Sequence, residues 1–483
     1  MNAPDTTKLA AVEQQTAPID TVAGQLAGYV AGFSYDAIPE ATRERAKYLM
    51  LDAVGIAFAS TQYDFAHRIH SGIASLAEGG NSSLIGFPGR LPLRDAILFN
   101  AAMVHGLDYD DTHIRAIIHA TASAFPCALG VSESVQASGK ALLAAYVLGL
   151  ETAIRISDAA GGKFHDQGFH PTGIAAHFSC ALQAGWLYGL TPKQLVMAQG
   201  LMGSTAAGSQ EFLEEGAWNK RMHPGWAGVA GVTAAHLARA GYKGPTKVYE
   251  GRFGLYKIYL GEHAASVRYD AIAETLGKVW EVHGVAIKPY PICHLIHACA
   301  DATLLLREQH ALQPGDIERI VALVPRQSLH IISEPHATKI RPANEYDAKF
   351  STPYVLATCL VKGRFGLGEL MDDTLRDAQI LQLAAKVECV ADPDSRYPEF
   401  FSGGVVIHTR DGRTLRHHEP VNRGAGNRAL TGAEIEQKYF DNAQLAVNRS
   451  KAEAVRDAVL DVENRSAAQF ARLLSASCSG RSG

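Results

Sequence analysis

Five short stretches carry the residue types from which proton chemistry is built. The first, "HGLDYDDTH" at 105–113, sets two histidines around three aspartates. Read as a helix, it puts Asp108, Asp111 and Thr112 on one face at i, i+3 and i+4, with His105 and His119 close in sequence. The same residues serve equally well to cap a short helix and satisfy loop amides. The second, "KFHDQGFHPTG", places His170 before a proline, in extended geometry at a helix entrance where unpaired amides favour anions. The third, "WNKRMHPGWAG", gathers Lys220, Arg221 and His223 at a helix start among Trp218, Met222 and Trp226. Cations set amid apolar bulk need anionic partners. The fourth, "IKPYPICHLIHACAD", adds Lys288, with His297 one helical turn beyond Cys293. The fifth, "DAKFSTPYVLA", brings Lys349, Ser351 and Tyr354 to another helix start.

Together these supply several histidines, two or three lysines and an arginine, with few unpaired acids. There is no nucleophile elbow and no glycine-rich nucleotide loop. A metal is not expected. "Cys293-His294-x-x-His297-x-Cys299" has no recognisable zinc spacing. Asp110 and Asp111 are followed by Ile114, which breaks the acid pattern that holds magnesium diphosphate. The mix suits a small di- or tricarboxylate gripped by cations while neutral histidines exchange protons. Fixed cations stabilise developing enolate charge, so no cofactor is called for.

The frame that must bring these stretches together is a long one. At 483 residues, with 47% apolar and 19% charged side chains, the chain exceeds one ordinary core. A formal charge of −4 and the lack of basic runs argue against nucleic-acid binding. No apolar run approaches the roughly 20 residues needed to span a bilayer. Seven cysteines without a framework spacing, and no secretory signal pattern, fit a cytoplasmic protein.

Helical patterning persists from about residue 20 to 275. "IPEATRERAKYLMLDAVGIAFAS" starts at a proline, Thr191-Pro192 caps another helix, and the Gly/Ala-rich "PGWAGVAGVTAAHLARAG" predicts close helix packing at the centre of a bundle. Near 282 the texture changes. "DIERIVALVP" and "KVECVAD" read as strands, "TPYVLATCLVKG" as a helix, and "GGVVIHTRDGRTLRHHEP" as a hairpin about Asp411-Gly412. Helices resume after the Gly/Asn-rich "NRGAGNRALTG". The expected fold is mostly α with a smaller α+β domain. A flexible leader (1–20) precedes a helical domain (21–284), an α+β lid domain (285–420) is inserted, the helical domain finishes over 421–475, and a flexible tail (476–483) follows.

In this order, "LDAVGIAFA", "HGLDYDDTH", "GFHPTG", "NKRMHPGWA", "GYKGPTKVYEGRFGLY", "KPYPICHLIH" and "DAKFSTPYV" resemble the MmgE/PrpD family, which includes 2-methylcitrate dehydratase and cis-aconitate decarboxylase. The resemblance implies a helical domain made from both chain ends, an inserted lid, a cleft between them, a homodimer and no metal or iron–sulfur cluster. By motif position it puts catalytic residues at Asp108, Thr112, His119, His170 and Lys220. Arg221, His223, Lys288, Cys293, His297 and Tyr354 are expected to bind substrate. It further implies that decarboxylase-type members place a histidine where Cys293 stands. The expected activity is therefore a lyase that dehydrates a 2-methylcitrate-like hydroxy acid. A decarboxylase, an epimerase or isomerase working by proton abstraction and return, and a silent carboxylate-binding protein are the alternatives.

Overall fold

The computed structural model describes residues 20–476. Apart from positions 20 and 476, the expected leader and tail lie outside the described residues. Helices dominate, and they start where sequence chemistry places them. Pro39 precedes the helix Glu40–Ser60, whose residues from Leu49 onward are all buried. Thr191 caps Pro192–Met202 in a capping box with Gln194.

The Gly/Ala-rich stretch is the helix His223–Arg239, and it is packed on several sides. A Cβ at Gly225 would lie 2.7 Å from the Leu98 carbonyl, and one at Gly231 would lie 2.6 Å from the Ala181 amide. Glycine every third residue thus lets the helices Leu93–Val104 and Pro171–Leu187 approach almost backbone to backbone. These neighbouring helices also begin or end at the residues of chemical interest.

The C-terminal helices return to the first ones. Gly432–Ala443 and Arg449–Leu460 pack on Glu40–Ser60, and Ala467–Leu474 packs on Ala120–Ser134. A buried ion pair, Lys438 to Asp52 at 2.7 Å, fixes that return. Lys438 Nζ also donates to the Tyr109 carbonyl at 3.0 Å, so the end of the chain braces the loop that carries Asp108.

The smaller α+β part holds a four-stranded sheet in the order Val387–Ala391, Ile317–Val324, Gly403–Thr409, Thr414–Glu419. The first two strands are parallel and the other pairings antiparallel. The helices His297–Gln309 and Thr352–Lys362 lie against this sheet. The hairpin turns at Asp411-Gly412, with Gly412 at φ 84°. The fold is therefore mostly α with a smaller α+β part, as the patterning predicts. No helix among the described residues is long and apolar enough to cross a membrane.

Two local expectations fail. Residues 107–113 are not a helix. The helix Leu93–Val104 ends just before His105, and Gly106 then passes so close to Phe65 and Ser60 that a Cβ would lie 2.5 and 2.6 Å from them. Asp108 then takes a left-handed backbone (φ 51°), which Asp tolerates better than most residues. Thr112–His113 pairs instead with Val285–Ala286 as a short antiparallel bridge. This pairing links the aspartate loop to the segment that delivers Lys288. The second failure is Cys293, which precedes the helix His297–Gln309 and so does not stand one helical turn from His297.

Candidate active site

The chemical residues sit at helix ends, where a side chain can point into a gap between elements. His119 precedes Ala120–Ser134, His170 precedes Pro171–Leu187, and Lys220 lies in the turn Trp218–Met222 before His223–Arg239. Cys293 and His294 precede His297–Gln309. Four helix N-termini are thus grouped around one space, and each favours negative charge. That space is a small cavity, about 90 Å³, that opens to solvent. Asp108, Thr112, His119, His170, Lys220, Lys288 and Cys293 all line it.

Asp108 is the hub. Lys220 Nζ donates to its Oδ1 at 2.9 Å and Lys288 Nζ at 3.1 Å, while Lys288 also donates to the Asp108 carbonyl at 2.7 Å. All three side chains are buried. Burial opposes ionisation of the Asp108 carboxyl, but the two ammonium groups outweigh it and hold that carboxyl well below the usual carboxylate range. Two ammoniums on one carboxylate leave cationic charge facing the cavity. A carboxylate ligand is the natural complement.

His119 lies close by, with a ring nitrogen within 4.8 Å of an Asp108 carboxylate oxygen. Its Nδ1 lies 2.8 Å from the Asp111 carbonyl and 3.2 Å from Thr112 Oγ1. A carbonyl only accepts, so Nδ1 carries the proton and Nε2 keeps its lone pair. Burial pushes His119 down to about 3, reinforced by Lys288 and opposed by Asp110. A neutral imidazole with a bare Nε2 beside two lysines is a base that stays unprotonated at neutral pH. This gives a pH prediction. Once substrate ionisation is corrected for, kcat stays level from pH 7 to about 5, where an imidazole of ordinary pKa near 6.5 would have lost most activity. An acid limb centred near 6.5 in a pH–rate profile would assign the base elsewhere.

His170 and His223 share a hydrogen bond, Nδ1 to Nδ1 at 3.1 Å. Burial lowers both, His223 to about 4. His105 Nδ1 donates to Asp110 Oδ2 at 2.7 Å. His105, His119 and His170 form a cluster with ring centroids 4.9–5.9 Å apart, and each offers a ring nitrogen within 4.8 Å of the others. Among the described residues they are a group able to hold a metal, whereas the Cys293–Cys299 stretch forms none. Cys299 Sγ instead faces the carbonyls of Leu323 and Gly404.

Asp111 turns away from Asp108. Its carboxylate takes a hydrogen bond from Thr121, which also meets Tyr146. Burial raises its carboxyl to about 7. The shared face expected of Asp108 and Asp111 does not exist, because the chain is extended and left-handed there.

Several expected binding residues do not line the cavity. Arg221 lies under it: Nε donates to the Gly106 carbonyl at 2.7 Å, Nη2 meets Glu345 at 3.3 Å, and the guanidinium stacks 4.2 Å from the Phe65 ring centre. Arg221 thus supports the loop that carries Asp108. Tyr354 is buried and donates to the Glu369 carbonyl at 2.8 Å. His297 is hydrogen-bonded to the Ile292 carbonyl. His223 is hydrogen-bonded to the lining residue His170 and does not itself line the cavity. The lining histidine of the fourth stretch is His294, whose Nε2 meets Asn422 Nδ2 at 2.7 Å. Sequence reasoning passed over it, and its place beside Cys293 was the available signal. Phe212 and Phe350, also unforeseen, supply apolar wall, with Lys220 Nζ 5.7 and 5.5 Å from their ring centres.

A mostly helical frame thus brings paired lysines and several imidazoles to one cavity. Residues 24–268 match the model of the MmgE/PrpD N-terminal domain, and residues 290–464 match that of the C-terminal domain. The chain belongs to the MmgE/PrpD family. It is 26% identical over 466 residues to a cis-aconitate decarboxylase of Aspergillus terreus, covering 92% of this chain and 93% of that one. The cis-aconitate decarboxylase of Mus musculus is 24% identical, covering 92% of this chain and 91% of its own, and that of Homo sapiens 25%, covering 87% of each.

Proposed function

We propose that the protein is a lyase for a small di- or tricarboxylate, working by proton transfer at a carbon next to a carboxylate and drawing on no bound cofactor. The observation that carries this reading is a bare imidazole nitrogen at His119 beside the Lys220–Asp108–Lys288 cluster in one cavity. The lysines hold the substrate carboxylate and take up enolate charge as it forms. His119 Nε2 accepts the proton from carbon. In dehydration of a 2-methylcitrate-like acid the carbon–carbon double bond then forms as the carbon–oxygen bond breaks. The departing hydroxide leaves as water after taking a proton from the ammonium side. His170, held by His223, borders the same space and serves as the second proton carrier.

Loss of carbon dioxide from a cis-aconitate-like acid is the second reading, favoured by the decarboxylases among the relatives. The apolar wall of Phe212 and Phe350 supports it too, since a carboxylate leaves more easily from apolar surroundings. Citrate, 2-methylcitrate, cis-aconitate and substituted succinates, assayed for water loss, carbon dioxide release and solvent-deuterium uptake, separate the outcomes. Deuterium uptake without net loss would make the protein an isomerase. Ligand binding without any product would make it a binding protein.

Lys220→Ala is expected to lower kcat/KM by about 10²-fold or more, since a charge-assisted contact to the substrate is lost and Asp108 loses one of its two ammonium partners. Near-wild-type kcat/KM on the true substrate would remove Lys220 from the mechanism. The resemblance also implies a homodimer, and cysteine usage suggests a cytoplasmic location; light scattering and cell fractionation would test them.

A further inference from the structure

His105, which the proposed proton transfer does not use, shares a feature with its neighbours His119 and His170. His105 Nε2 and His170 Nε2 are buried and have no hydrogen-bond partner, in rings whose side chains are almost fully enclosed. Their Nδ1 atoms are both engaged, His105 with the Asp110 carboxylate and His170 with His223. His119 repeats the pattern, with Nδ1 held by the Asp111 carbonyl and Nε2 unclaimed. Metal-binding histidines are prepared in this way: one nitrogen is fixed by a carboxylate, carbonyl or other outer partner, and the lone pair of the other is aimed at the ion.

The spacing agrees. Three imidazoles bound to one tetrahedral zinc at the usual nitrogen distance have ring centres about 5 Å apart. Here those separations are 4.9, 5.5 and 5.9 Å. A ring nitrogen of each lies within 4.8 Å of the others, so closure onto an ion needs shifts of about an ångström. Charge does not forbid it. Asp108 and Asp110 also reach His119 within 4.8 Å; Asp108 pairs with the ammoniums of Lys220 and Lys288, and Asp110 with His105, so carboxylate charge lies beside the histidines.

We propose that His105, His119 and His170 form a binding site for a divalent transition ion of the zinc class, with a fourth position open to the cavity. An all-imidazole donor set selects zinc, copper, nickel or cobalt over magnesium or calcium. Occupancy ties up the His119 lone pair, so the metal-bound protein is inhibited and chelation restores it. The inhibitory consequence rests on the lyase reading; the binding site does not.

The test uses the full-length, EDTA-treated protein without substrate. Cobalt(II) is expected to bind at one equivalent and give the intense visible absorption of a four-coordinate ion, which zinc displaces. His105→Ala should weaken zinc binding at least about tenfold, and Asp110→Asn, which loosens the outer partner of His105, by about 10- to 100-fold. If His105→Ala does not fold, His170→Gln replaces it with the same expectation. Cys293→Ser should bind zinc as the wild type does. No cobalt spectrum, or unchanged zinc affinity in the histidine variants, or loss of binding in Cys293→Ser would overturn the site. Turnover is then read separately. Zinc binding with no effect on a proven lyase activity would leave the metal site standing and remove His119 as its base, whereas failure to find a substrate leaves the cobalt result untouched.

Discussion

His119→Asn is expected to reduce kcat by about 10³-fold while the protein keeps its fold, because general-base catalysis by a positioned imidazole contributes about 10²–10⁴-fold. Asparagine suits this test. Its amide N–H can still donate to the Asp111 carbonyl, now served by His119 Nδ1, so the loop keeps its bond and only the Nε2 lone pair is lost. Circular dichroism and thermal unfolding should match the wild type to within a few degrees. The single-turnover rate should fall as far as kcat does, since the missing step is chemistry and not product release. If kcat stayed within about threefold of wild type, the base would be another imidazole of the cavity, His170 or His294, and the tautomer argument for His119 would fail.

The largest effect on stability should come from Asp108→Asn. The side chain keeps its shape, and asparagine tolerates the left-handed backbone at this position (φ 51°) as well as aspartate does, so the change isolates charge. Lys220 and Lys288 would then be buried without their shared carboxylate. Removing one partner from a buried ion pair costs about 3–5 kcal/mol, and here one removal strands two cations. Both unfolding in urea and activity should register the loss. The pH dependence gives a second check. The folded protein holds the Asp108 carboxyl below its unfolded value, so its contribution is fully present above about pH 4 and disappears as pH falls through the folded value. The stability gap between wild type and Asp108→Asn should therefore be widest near neutrality and close in acid. A gap that is small at pH 7, or that widens in acid, would mean the lysines do not depend on Asp108.

The two substitutions probe different parts of one device. Lys438, from the returning C-terminal helix, braces Tyr109, and Arg221 braces Gly106, so the short loop between them presents Asp108 from two buried cationic supports. Polar contacts hold this loop because it has no helix or extended strand of its own to stiffen it. The cost of the left-handed residue is offset by the ion pairs it makes.

Much of this was legible in the sequence. Helix positions followed from apolar periodicity and from Pro39, Thr191 and Pro192, which act within a few residues. The glycine spacing at 225, 228 and 231 announced close packing because a missing Cβ has the same meaning in sequence as in space. Asp108, Thr112, His119, His170, Lys220, Lys288 and Cys293 stand out in the sequence by type and spacing, and they share one cavity.

Only the tertiary structure decided the rest. Periodicity could not show that 107–113 leaves the helix, since Gly106 is required by Phe65 and Ser60, which lie more than 40 residues away. Charge type could not tell Lys220, which faces the cavity, from Arg221, which faces the Gly106 carbonyl and Glu345. Nor could sequence separate His294, which lines the cavity, from His297, which lies behind it. Residue type fixes what a side chain can do, and it acts through local chemistry. Which way the side chain faces depends on long-range packing, and so does which imidazole nitrogen is left bare.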